Sequence, residues 1–79
     1  MTVKEPLILY SRADCHLCKL AEAMLVSADL AWREVDIDDD LELLGKYGVR
    51  VPVICRPDDG MELFFPFDEE ALLRFTAGP

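Results

Sequence analysis

The chain has 79 residues, 52% of them hydrophobic, and carries a net charge of −8 from 16 acidic and 8 basic residues. Such a length predicts a single domain, 1–79, with a stability of about 4–12 kcal/mol. No apolar run nears the ~18 residues of a membrane helix, no secretory pattern is expected at Met1-Thr2-Val3-Lys4-Glu5-Pro6, and so acidic a chain is a poor match for nucleic acid, whose backbone calls for Lys and Arg.

These totals lead us to expect a soluble, cytoplasmic monomer. The acidity is assigned to solubility and to helix N-termini. Three cysteines are an odd number, which in a reducing compartment suits one working pair and a spare thiol better than a disulfide framework.

Residues 7–10, Leu-Ile-Leu-Tyr, form a short apolar run that predicts a strand buried on both faces. From Leu17 the apolar positions are Leu17, Leu20, Ala21, Met24, Leu25 and Ala28, the spacing of a helix that buries one stripe. Residues 31–37 alternate, with Val35 and Ile37 on one face and Glu34 and Asp36 on the other, and predict a second strand. Strand, helix and strand within about 30 residues make a βαβ unit with parallel strands and a right-handed crossover.

Asp38-Asp39-Asp40 supplies the N-cap and first-turn acids of a short second helix. That helix is expected to turn Leu41 and Leu44 inward, to be weakened by Gly45 and to end at Gly48. Residues 52–55 and 61–65 predict an antiparallel hairpin around the turn Pro57-Asp58-Asp59-Gly60. Asp68 caps a last helix with Leu72 and Phe75 inward, Phe67 against Leu72 making a hydrophobic staple. The expected order is βαβαββα, a mixed four-stranded sheet with flanking helices.

In open α/β sheets, ligands gather beyond the carboxyl ends of parallel strands. Asp14-Cys15-His16-Leu17-Cys18 lies there, between the first strand and its helix. A pair of thiols at this spacing can close a small disulfide or share a metal. A structural zinc would need more ligands, and the remaining candidates are His16, poorly placed between the thiols, and Cys55. Haem attachment fails because Lys19 follows Cys18 where a histidine is required. No metal site is expected.

Only a thiolate attacks a disulfide, so the working sulfur needs its pKa brought down from ~8.5. Amide N–H groups and the dipole at a helix start favour an anion enough for about one pKa unit. A hydrogen bond donated by Cys18 adds to this, whereas Asp14 opposes it unless it turns away to cap the helix. Cys15, nearer the helix start, is therefore the expected nucleophile with a moderately depressed pKa, and Cys18, one turn in, the resolving thiol. His16 tunes the pair or is a solvated neighbour, and Arg12 is either an anion-binding residue or plain surface. Cys55 is expected to behave as a small buried hydrophobe.

Cys15-His16-Leu17-Cys18 after Leu9-Tyr10-Ser11-Arg12, followed by Tyr47-Gly48-Val49-Arg50-Val51-Pro52, resembles the short bacterial glutaredoxin-like proteins of the thioredoxin superfamily over nearly the whole chain. The resemblance implies a thioredoxin fold. It also implies a cis Val51-Pro52 bond beside the active disulfide, leaving the Val51 backbone free to pair with an extended thiol substrate.

The resemblance has departures. Glutathione-dependent glutaredoxins usually carry Thr-Val-Pro and a Gly-Gly pair before the last helix. Here Arg50 stands in the threonine's place and Phe65-Pro66-Phe67-Asp68 in the Gly-Gly region, where Pro66 has no N–H to donate. Asp68 matches a family residue that meets the γ-glutamyl amine. The implied function is a thiol-disulfide oxidoreductase acting by dithiol exchange on protein or small-molecule disulfides, with no bound cofactor. A reductant of the thioredoxin-reductase type is expected ahead of glutathione. A redox-idle binding module of the same fold, or an iron-sulfur carrier, is the alternative.

Overall fold

In the computed structural model, which describes residues 6–77, the elements run β1 (Leu7–Ser11), α1 (His16–Ser27), β2 (Trp32–Asp36), a 3-10 turn (Ile37–Asp39), α2 (Leu41–Tyr47), β3 (Val53–Cys55), β4 (Glu62–Phe64) and α3 (Glu69–Ala77). This is the expected βαβαββα order. The four-stranded sheet has the order β2-β1-β3-β4. Strand β1 pairs parallel with β2, Leu9 opposite Glu34, and antiparallel with β3, Leu9 opposite Ile54, while β3 and β4 form the antiparallel hairpin.

Each face of the sheet carries its own apolar cluster. Leu7, Leu9 and Ile54 pack with Ala21 and Leu25 of α1 and Leu72 of α3, and Phe67 and Phe75 close the edge. Ile37, Tyr47 and Val53 gather Tyr10, Leu43, Leu44 and Val51 around α2. So α1 and α3 cover one face and α2 the other. A covered sheet explains why β1 reads as a continuous apolar run without strict alternation. The carboxyl end of this central strand delivers the chain to the cysteines.

Helix ends follow the expected chemistry. Asp40 Oδ1 accepts from the N–H groups of Glu42 at 2.9 Å and Leu43 at 3.2 Å, and Asp68 Oδ1 accepts from Ala71 at 2.8 Å. Arg56 donates to Asp59 and to the Phe75 carbonyl, the latter at 2.7 Å, and so ties the hairpin turn to the end of α3. The same guanidinium holds the Asp59 carboxyl below its usual value.

Four expectations fail on burial or extent. Leu41 is 86% exposed, because α2 turns Leu43, Leu44 and Tyr47 to the sheet and Leu41 opens the helix at its solvent end. Leu17 and Leu20 are 42% and 43% exposed, since the buried stripe of α1 runs through Cys18, Ala21 and Leu25 instead. Ile37 is buried as expected, but β2 stops at Asp36, whose carboxylate accepts from the Asp38 N–H and starts the 3-10 turn. Cys55 is half-buried, not buried.

Candidate functional site

Past Ser11, whose hydroxyl donates to Glu34 at 2.5 Å, the chain leaves the sheet through a tight turn. Asp14 takes a left-handed backbone with φ 61°, a conformation that Asp tolerates better than most residues. It delivers Cys15 in an extended conformation as the N-cap of α1. The cap is the sulfur itself. Cys15 Sγ accepts from the Cys18 N–H at 3.1 Å, so one of the unpaired amides of the helix start points at a sulfur where serine or aspartate usually stands. Asp14 does not cap the helix.

Cys15 and Cys18 are joined as a disulfide across a Cα separation of 5.2 Å. Their surroundings differ sharply. Cys15 is half-buried, whereas Cys18 is 2% exposed and faces the core with Ala21 and Leu25.

The opposite wall comes from the loop between α2 and β3. The Tyr47 carbonyl accepts from the N–H groups of Arg50 at 2.8 Å and Val51 at 3.1 Å, which folds residues 48–51 back toward the cysteines. This corrects the expectation of a free Val51 backbone in one respect: its N–H is engaged within the chain. The Val51-Pro52 and Phe65-Pro66 peptide bonds are cis. Pro52 is buried.

Two adjoining clefts meet along Val49 and Val51. One, of about 310 Å³, holds Cys15 with Arg12, Asp14 and Gly48. The other, of about 450 Å³, is walled by Leu17, Val49, Val51, Phe64, Phe65 and Pro66, with Arg50 on its rim. Sequence reasoning placed Val51, Cys15 and Arg12 here but missed Val49, Phe64 and the outward Leu17. An apolar Val49 in a loop between Gly48 and Arg50 is the one local sign of an exposed hydrophobic wall.

Arg12 is engaged as well as near. Its Nε donates to Asp38 at 2.9 Å and its Nη1 to the Gly48 carbonyl at 3.3 Å, so the guanidinium braces the cleft. His16 is exposed in the first turn of α1 and lines neither cleft. Asp68 lies apart from both, its carboxylate spent on α3.

Behind the loop, Tyr47 stacks on Tyr10 with ring centroids 4.6 Å apart and donates its hydroxyl to Glu62, which also pairs with Lys46 at 3.7 Å. Burial first, then the Glu62 carboxylate, pushes the Tyr47 phenol up. Burial and Glu62 likewise raise Cys55. Among the described residues no group of three or more His, Cys, Asp or Glu side chains is placed to hold a metal ion.

The family profile described as Glutaredoxin-like domain (DUF836) matches residues 6–75. The chain belongs to that family. The glutaredoxin-like domain is similar to the Northeast Structural Genomics target protein XcR50 from X. campestris. The X-ray structure of XcR50 is 47% identical with a TM-score of 0.83, over 92% of this chain and 99% of that one. Its solution structure is 45% identical with a TM-score of 0.81, over 95% and 97%. Protein Ne2328 from Nitrosomonas europaea is 26% identical with a TM-score of 0.78, over 90% and 89%. No curated protein matches the chain.

The architecture is the thioredoxin fold. Family and geometry together support a thiol-redox role for the glutaredoxin-like domain. Among its described residues no helix is long and apolar enough to cross a membrane.

Proposed function

We propose that this glutaredoxin-like domain is a disulfide oxidoreductase that works by dithiol exchange, with Cys15 attacking and Cys18 resolving. The observation that carries the reading is the asymmetry of the pair. Cys15 Sγ accepts an amide N–H at 3.1 Å at the mouth of a cleft, while Cys18 is 2% exposed. A hydrogen bond donated to the charged form favours the thiolate, and the helix start adds to it.

In the reduced protein the Cys15 thiolate attacks one sulfur of a substrate disulfide in line with the S–S bond. A Cys15–substrate bond forms and the other substrate thiolate leaves. Cys18, as its thiolate, then attacks Cys15 Sγ, expelling the second substrate thiolate and closing the Cys15–Cys18 disulfide. Two electrons pass from the protein dithiol to the substrate. An external dithiol protein, in a reducing compartment such as the cytosol, returns them by the reverse exchange.

In this reading substrate lies against Val51, which walls both clefts, while Arg12 shapes the floor and the buried Pro52 sits behind Val51. His16 and Asp68 have no part in this reading, because neither lines a cleft.

The test is chemical. Brief alkylation of the reduced protein near pH 7, followed by mapping of the adduct, is expected to label Cys15. Cys15→Ser abolishes disulfide reduction, and Cys18→Ser accumulates the mixed disulfide. Labelling mainly at Cys18, or turnover that survives Cys15→Ser, overturns the assignment.

A further inference from the structure

The second cleft is apolar in its walls and cationic at one point, and this combination describes a ligand. Leu17, Val49 and Phe64 are among the large hydrophobic side chains left in solvent, at 42%, 99% and 39% exposure, and all three line this groove. Exposed apolar surface gathered in one place marks an interaction site.

Charge supplies the second observation. Lys19, Lys46, Arg12, Arg56 and Arg74 each pair with a carboxylate. Arg50 makes no ion pair among the described residues and instead lies over the Phe64 ring at 5.6 Å. In a chain of net charge −8, where carboxylates outnumber cations 16 to 8, a guanidinium without one is conspicuous. Among the described residues Arg33 also lacks an ion pair, but it stands on β2, the edge strand opposite β4. Among the described residues Arg50 is therefore the cation without an ion pair that lines this groove.

We infer that the groove selects a polypeptide segment whose reacting cysteine is flanked by an apolar side chain, which enters between Leu17 and Phe64, and by a carboxylate, which meets Arg50. This rests on the dithiol-exchange reading above and names its substrate class. Glutathione matches poorly, since it has no apolar side chain to fill these walls and Pro66 offers it no N–H. A polypeptide fits an open groove that continues into β4, the outer strand of the sheet, because extended chains dock along sheet edges.

The test is a single-turnover assay with pre-reduced protein at physiological ionic strength, where a Debye length of about 8 Å screens the overall charge. Three peptides, each disulfide-linked to the same chromophoric thiol, carry cysteine flanked by Leu and Glu, by Leu and Lys, or by Ser and Glu. The corresponding glutathione mixed disulfide makes a fourth substrate. The Leu/Glu peptide is expected to exceed the Ser/Glu peptide by about 10-fold, and the glutathione compound by a similar factor.

Arg50→Gln should lower the Glu-over-Lys rate ratio by about 3-fold and Arg50→Glu should lower it further, while Leu17→Ser should erase the preference for Leu over Ser. Ratios that do not move with Arg50, or a glutathione compound as fast as the Leu/Glu peptide, overturn the inference. A simple aromatic disulfide separates the two levels. If it too goes unreduced, dithiol exchange itself is wrong; if it is reduced while the peptide ratios stay flat, only the groove assignment falls.

Discussion

Arg12 Nε donates to Asp38 Oδ1 at 2.9 Å, joining the loop that leads to Cys15 with the turn that follows β2. Both side chains are more than a third exposed, at 41% and 37%, so solvent screens the pair. A double-mutant cycle with Arg12→Met and Asp38→Asn, read by urea unfolding, should give a coupling of about 0.2–1 kcal/mol that shrinks as salt is added. A negligible coupling beside a clear loss of stability in Arg12→Met alone would place the bracing in the Arg12–Gly48 contact instead.

The two cysteines should behave as chemically unequal once reduced. In a Cys15→Ser protein, Cys18 keeps its place in the core and should react with iodoacetamide far more slowly than Cys15 does in Cys18→Ser. Comparing the two second-order rate constants checks this, and equal rates would contradict the burial of Cys18.

Stability should fall on the alkaline side. Tyr10, Tyr47 and Cys55 all have raised values in the folded chain, burial being the first cause in each. As pH rises the unfolded chain releases these protons first. Their contribution is full below the ordinary thiol value of 9.0 and phenol value of 10.0, and is lost as pH climbs through the higher folded values. Urea midpoints measured across this range should decline. Tyr47→Phe should cost about 1–2 kcal/mol at neutral pH, by removing a hydroxyl bonded to a carboxylate, and should flatten the alkaline decline.

The two glycines of the second helix region should respond oppositely to Ala. A Cβ at Gly45 would meet nothing within 4 Å, so Gly45→Ala should stabilise by about 0.5–1 kcal/mol through helix propensity. At Gly48 the backbone is ordinary right-handed helix, φ −47°, yet a Cβ would lie 2.5 Å from the Leu44 carbonyl oxygen. Gly48→Ala should destabilise and disturb the cleft wall, which thermal melts of the pair of variants will reveal.

The strand, loop and helix around Cys15 are legible in the sequence because local rules coincide there: an apolar run, a thiol pair and a 3.6-residue stripe. The caps at Asp40 and Asp68 are legible for the same reason. What stays hidden depends on tertiary context. Spacing marks Leu17, Leu20 and Leu41 as inward, but burial depends on what lies opposite, and Leu17 borders the groove while Leu41 meets solvent. The groove itself joins Leu17 to Val49 and Phe64, which only the folded sheet brings together. The engaged Val51 N–H depends on how residues 48–51 curl back on Tyr47, and no local residue preference encodes that hydrogen bond.

The depth at which Cys18 sits bears on survival under peroxide. On the dithiol-exchange reading, an oxidant reaching the reduced protein should meet the more exposed Cys15 first and leave a sulfenic acid there. The shielded neighbour, with its Cα 5.2 Å away, should then condense with that group, expelling water and restoring the same bridge. Irreversible sulfinic acid requires a second peroxide to arrive before this intramolecular closure, so the nearness of one sulfur should guard the other against permanent damage, while burial keeps the guard itself from the oxidant.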